Sequence, residues 1–302
     1  MKVPAPVYAL GAAFLFAAGI PATKVLVAST DPKMVAGLLY IGSGFGLSCL
    51  LLCRELFGGK RLEHTVFNKA DFPWLFSATT LGGIIAPLAL MFSMLHTPAS
   101  TVSLLLNFEI LFTALVACIF FKERLSGRAI VGLIAILLGG ACLSGSSVIS
   151  GSWWALLAIL AALLWAVDSN FAGRISRIDP LQIARFKGLL AGTFNLSLAF
   201  ALGGHFPNIA VVAGAAITGM ICYGLSLSLF IIAIRDIGAA RAVAYFSTEP
   251  FIGALLSVLI LKEGISVNLI VAGILMVIGI YLHLTEKHPH IEAVLEEEAG
   301  AA

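Results

Sequence analysis

Residues 109–140, EILFTALVACIFFKERLSGRAIVGLIAILLGG, and residues 249–280, EPFIGALLSVLILKEGISVNLIVAGILMVIGI, carry one pattern twice. A shift of 140 places Glu109 on Glu249, Lys122-Glu123 on Lys262-Glu263, Ser126 on Ser266, Ile130-Val131 on Ile270-Val271 and Gly139 on Gly279, without a gap. Apolar residues alone would match by chance, but charged pairs kept in register through apolar surroundings do not. Each copy is an apolar run with one acid inside it, a short charged turn and a second apolar run bearing glycine. Nearer the start of each half, Asp31-Pro32 falls on Asp179-Pro180 at a shift of 148. The chain therefore reads as a duplication.

The surroundings set the solvent. Of 302 residues 60% are hydrophobic and 11% charged, whereas a soluble domain carries about a quarter charged residues. The charges cluster between long uncharged stretches, as expected when only loops and ends meet water. A bilayer core about 30 Å thick takes about 20 apolar helical residues to cross. Polar, Gly and Pro clusters divide the chain into the predicted spans 7–28, 34–53, 72–95, 98–121, 126–144, 153–173, 181–203, 209–234, 239–261 and 267–284. The expected fold is all-α, with ten transmembrane helices. The domains are a first five-helix repeat at 1–146, a second at 147–285 and an acidic tail at 286–302. Because five is odd, the second repeat is inverted relative to the first, the plan of secondary transporters with a midplane site. The run after Lys2 reads as an uncleaved first span, not a signal peptide, since the rest of the chain is equally apolar.

Basic residues set the orientation. With a cytoplasmic N-terminus, fifteen Lys and Arg fall inside, Arg185 and Lys187 among them, and three outside: Lys24, Lys33 and Lys262. Both termini are then cytoplasmic. Lys24, about a turn from the outer end of its span, is expected to reach the interface with its long stem. Cys49, Cys53, Cys118, Cys142 and Cys222 all lie in apolar stretches, with no ligand spacing. No metal or cofactor is expected. Gly42-Ser43-Gly44-Phe45-Gly46 lies within a span with no strand before it. It reads as helix packing, not a nucleotide loop. Gly132, Gly139, Gly140, Gly273 and Gly279 also allow close helix approach, within one chain or in a homodimer.

On the repeated Glu109…Lys122-Glu123 and Glu249-Pro250…Lys262-Glu263 motifs, and the glycine-bearing spans after them, the chain resembles the EamA-type transporters of the drug/metabolite transporter superfamily. Within it, the sequence looks most like the aromatic and neutral amino-acid exporters. The resemblance implies export of small metabolites through a central cavity formed by spans 1–4 and 6–9, with spans 5 and 10 peripheral. One departure is Ile110, where the second half has Pro250. A proline kink expected in the second half is thus missing from the first.

Ionisable groups within a span are functional candidates. Glu109 and Glu249 lie midway along symmetry-related spans, suited to a substrate amine or a proton, or else to hydrogen-bonding the halves together. Asp168 follows Trp165 by one turn, and Trp165 offers an apolar wall or a cation–π face. Asn107, Tyr223, Tyr245, Thr80 and Ser226 are further midspan groups able to bind a small zwitterion or to join helices. No group of Arg or Lys is expected near the midplane, which disfavours phosphate-bearing substrates and favours uncharged or zwitterionic ones. Asp31, Asp71, Asp179 and Asp236 fall near span ends, which disfavours a membrane-embedded hydrolase; a passive channel is the other rival. The expected partners are a small-molecule substrate and the lipid bilayer, not nucleic acid. The expected location is the inner (cytoplasmic) membrane.

Overall fold

The computed structural model describes residues 4–56, 68–121, 127–149, 153–175, 178–237 and 239–284. Lys2, Lys60, Arg61, Lys122, Glu123, Arg124, Ser126, Arg177, Lys287 and the acidic tail lie outside the described residues. All regular structure among the described residues is helical: α1 (Ala5–Ser29), α2 (Pro32–Leu56), α3 (Phe72–Ala78), α4 (Ala86–His96), α5 (Ala99–Leu105), α6 (Phe108–Phe121), α7 (Gly127–Ile149), α8 (Trp154–Ile175), α9 (Pro180–Ala201), α10 (Ile209–Thr218), α11 (Ser226–Ile237), α12 (Ala239–Phe246), α13 (Glu249–Leu261) and α14 (Val267–Leu284). Among the described residues, five stretches are long and apolar enough to cross a membrane: Ala5–Ser29, Pro32–Cys53, Lys69–His96, Trp154–Ile175 and Ile209–Ile237. In lipid, a helix is favoured because it satisfies its backbone hydrogen bonds within itself.

Helix starts follow local chemistry. Asp179 accepts from Leu181 N–H at 2.8 Å and Gln182 N–H at 3.4 Å, with Pro180 opening α9. Asn208 accepts from Val211 N–H at 3.0 Å to cap α10. A π-turn at Thr79–Ile85 joins α3 to α4, and another at Gly219–Leu225 joins α10 to α11. The shift of 140 that aligns the acidic motifs also aligns these two turns. It brings the start of α5 onto the start of α12 as well.

Two predicted spans, 98–121 and 239–261, are not continuous helices. The first breaks at Leu106-Asn107 and the second at Ser247-Thr248. At the first break the bonds tighten to three-residue spacing, Asn107 N–H to Leu104 O at 3.1 Å and Glu109 N–H to Leu106 O at 2.9 Å. The break without a proline beside Glu109 corrects the expectation that Pro250 would make the second half differ. Each glutamate sits in the first turn of the new helix, where the helix dipole favours negative charge.

Burial is inverted relative to a soluble protein. Phe14, Phe45, Leu138, Leu259 and Ile274 face outward, while Thr79, Asp168, Lys187, Asn195 and Glu249 are buried. A lipid surround accounts for both halves of that pattern. α2 packs along α9, and α7 along α14. The α2–α9 crossing is backbone on backbone: a Cβ on Gly44 would lie 2.5 Å from Leu189 N, and one on Gly188 would lie 2.5 Å from Gly44 N. Gly139 meets Met276, and Gly279 meets the Gly132 carbonyl, so these glycines serve the α7–α14 contact within the chain.

One end of the bundle is clasped. α13 stops at Lys262, which is left-handed at φ 55°, and the next residue reaches across to the start of α5. Glu263 accepts from Ala99 N–H at 2.7 Å, Ser100 N–H at 2.9 Å and Ser100 Oγ at 2.5 Å. Beside it, Lys24 Nζ donates to the carbonyls of Met94 and Thr97. Lys24 thereby caps the end of α4. Free carbonyls at a helix C-terminus attract a cation, and this draws it in.

Candidate functional site

Where α1, α2, α6, α8, α9 and α11 converge, a cavity opens that is lined by Phe16, Tyr40, Glu109, Trp165, Asp168, Lys187, Tyr223 and Glu249, among others. The volume open to water centres is about 80 Å³. One water takes roughly 10–15 Å³ on that measure. A small solute or a handful of waters fits; a folded peptide does not.

The charged floor is an ion pair. Lys187 Nζ donates to Asp168 Oδ1 at 2.7 Å and Oδ2 at 2.6 Å, and the two residues are 2% and 7% exposed. Burial removes water from both, so each charge relies on the other. Gly82 makes room for them: a Cβ there would lie 2.1 Å from Asp168 Oδ2. The same glycine feeds the wall. Ala86 N–H bonds to Leu81 O, five residues back, where an α-helix would use Gly82 O. Gly82 O instead accepts from Tyr40 OH at 2.9 Å and Trp165 Nε1 at 3.0 Å. The π-turn thus turns one backbone carbonyl into an anchor for two cavity aromatics, a use of π-turns that recurs at functional sites.

Phe16 is the centre of the aromatic wall. It meets Trp165 edge-on at 5.6 Å between centroids, Tyr223 at 5.3 Å and Phe246 at 5.9 Å. Tyr40 and Tyr223 lie 5.9 Å apart, and Tyr223 OH shares a 3.3 Å hydrogen bond with Thr23. Opposite, Glu109 Oε1 accepts from Ser169 Oγ at 3.1 Å. Glu249 is 2% exposed, and its Oε1 has no hydrogen-bond partner. Among the described residues neither glutamate has a basic partner. No cluster of three metal-ligating side chains occurs among the described residues.

Of the sequence candidates, Glu109, Glu249, Trp165, Asp168, Tyr223 and Ser226 come together around this cavity. The Ser226 hydroxyl is already committed, donating to Ala12 O at 2.8 Å. Asn107 lines a smaller adjoining void. Thr80 bonds to Phe76 O of its own helix, and Tyr245 is 41% exposed; neither lines the cavity. The expectation excluded a group of Arg or Lys, and none forms among the described residues lining the cavity; Lys187 is a single interior cation. It lies two turns into α9, and the orientation count had assigned it to the cytoplasmic edge. Phe16, Tyr40 and Gly82 were also missed, because nothing in an apolar run marks which member faces a cavity; only the Gly82-Gly83 pair hinted at an irregular turn.

The helical stretches, the inward polar residues and this cavity define a multi-pass membrane protein with a solute-sized interior site. The EamA-like transporter family model matches twice, over residues 4–145 and 152–285, and the chain belongs to that family. A transporter of Methanothermobacter thermautotrophicus, described as uncharacterized, is 27% identical over 286 residues, covering 87% of this chain and 82% of its own. A similarly described transporter of Clostridium kluyveri is 25% identical over 270 residues, covering 82% of each chain. A protein crystal structure, 18% identical, superposes with a TM-score of 0.68 over 92% of this chain and 95% of its own, a likeness of fold.

Proposed function

We propose that the chain is a secondary carrier that exports aromatic or neutral amino acids across the inner membrane by alternating access. In this reading it has ten spans, in two inverted five-span halves, with both termini cytoplasmic. The observation that carries it is the cavity between the halves, with Glu109 and Glu249 at matching helix breaks. Inverted halves meeting at a midplane site, with interrupted helices around the solute, are the working parts of such carriers. The clasp of Lys24 and Glu263 supports a state closed at one end, which is the outer end in this topology.

The walls suit the solute. Phe16, Trp165, Tyr223 and Phe246 offer apolar faces to an aromatic or aliphatic side chain. Glu109 and Glu249 suit an α-ammonium group, and the Lys187–Asp168 pair offers a cation and an anion to a zwitterion. A phosphate-bearing solute would find one cation, already engaged by Asp168.

The test is counterflow. Proteoliposomes preloaded with unlabelled phenylalanine should accumulate labelled phenylalanine transiently, with saturation. Leucine and tryptophan should compete, and glucose 6-phosphate should not. Glu109→Gln should lower the initial rate about tenfold, the effect of losing one hydrogen bond to a charged group. A linear flux indifferent to trans phenylalanine would make the protein a pore. Absence of any amino-acid competition would remove the substrate assignment.

A further inference from the structure

Behind the main cavity a second, smaller void opens between the two helix breaks. Leu106, Asn107, Glu109 and Ile110 wall it from the first half, and Val243, Phe246, Ser247, Glu249 and Pro250 from the second. The volume open to water centres is about 10 Å³, which matches a single water-sized occupant. Leu106, Glu109, Phe246 and Glu249 border both spaces. The void therefore adjoins the main cavity through its acidic wall.

Two acceptors there are left without partners. Asn107 is 1% exposed and Glu249 2%, and neither Asn107 Oδ1 nor Glu249 Oε1 has a hydrogen-bond donor. The Asn107 amide group is fixed from its other side, where Nδ2 donates to Leu104 O at 3.0 Å and lies 3.5 Å from the Met276 sulfur. Its oxygen is thus the acceptor left over. Buried acceptors without donors are unfavourable, and a buried carboxylate without a counter-charge more so. Among the described residues, the charged and titratable groups around Glu249 are Glu109 on α6, Asp168 on α8, Lys187 on α9 and the phenols of Tyr40 and Tyr223. Lys187 is the one cation among those lining the cavity, and Asp168 holds it through both oxygens. Among the described residues, the pair Glu109 and Glu249 is left short of positive charge.

We propose that this void, walled by Asn107, Glu109 and Glu249 at the paired helix breaks, is a subsite for one small monovalent cation, either a proton on Glu249 or a sodium ion. The coupling of its occupancy to transport rests on the carrier reading of the main cavity; the site itself does not. Filling it supplies Glu249 Oε1 with its missing partner and offsets the negative charge facing the solute. Emptying it leaves Glu249 free to take a solute ammonium.

The test uses the full chain in lipid nanodiscs, with Glu249→Gln and Asn107→Ala as variants. Equilibrium binding of radioactive sodium should show about one site per chain, abolished by Glu249→Gln and weakened about tenfold by Asn107→Ala. If the occupant is a proton, sodium does not bind. The infrared stretch of a protonated carboxyl then disappears in Glu249→Gln and shifts in Asn107→Ala. Absence of sodium binding together with an infrared spectrum unchanged in both variants would overturn the proposal. If Glu249→Gln does not fold, Asn107→Ala alone decides in both arms. Phenylalanine counterflow on the same wild-type preparation separates the two readings. Cation occupancy without counterflow defeats the carrier and keeps the subsite; counterflow with no occupant by either measurement defeats the subsite.

Discussion

Glu249 and Glu263 bracket the same helix, α13, and their carboxylates are treated in opposite ways. Glu263 engages both oxygens, with two backbone N–H groups and one hydroxyl of the other half, at an end that is partly open to water. Glu249 is fully enclosed and keeps an oxygen without a partner. The first arrangement fastens; the second retains a capacity to bind. On the proposed reading, stability and function are separated along thirteen residues of helix, and burial alone does not say which acid does which.

The comparison is tested most severely where charge is most deeply buried. Lys187→Met should destabilise the protein by about 3–5 kcal/mol by stranding Asp168, and Asp168→Asn with Lys187→Met together should recover most of that loss. Thermal unfolding in detergent reads both; equal losses in the single and double variants would remove the pair from the account. Gly82→Ala comes next, at about 1–3 kcal/mol, since its Cβ falls where the Asp168 carboxylate now sits. Phenylalanine counterflow should fall with it, because the same residue anchors Tyr40 and Trp165.

Glu263→Ala removes the cap of α5 and should cost about 1–2 kcal/mol in the same unfolding measurement. A single cysteine at Ser100 should then react faster with a membrane-impermeant thiol reagent added from the outside; an unchanged rate would mean that the clasp closes nothing. Trp165→Phe keeps the apolar wall and loses one hydrogen bond, about 1 kcal/mol, which a thermal shift would register. The smallest effects belong to Thr80→Ala and Tyr245→Phe, within about 0.5 kcal/mol and without change in counterflow, because neither side chain lines the cavity.

Much of this was legible from residue order. The helical stretches begin and end close to the predicted spans because Asp179-Pro180, His96-Thr97-Pro98 and Asn208 carry their boundary signals in the side chains themselves. Glu109, Glu249 and Asp168 were found because an ionisable group within an apolar run is costly enough to demand a reason. The break at Ser247-Thr248 lies just before Pro250, where a proline kink was expected, whereas the break at Leu106-Asn107 was not found, because it has neither glycine nor proline. Lys187 was missed for a related cause. Orientation rules count lysines near span ends, whereas an inward-facing lysine two turns deep obeys its ion pair instead.

The backbone contact between α2 and α9 has a mechanical consequence. Gly44 and Gly188 place main chain against main chain with no side chain between them, so the crossing has almost no compressible material. The first family match contains α2 and the second contains α9, so this contact joins the two halves. Any relative motion that preserves it must be a roll about a fixed point, with the displacement growing toward both ends of the helices. In the proposed carrier the glycines would be a fulcrum, and lever length rather than local softness would set how far either mouth opens.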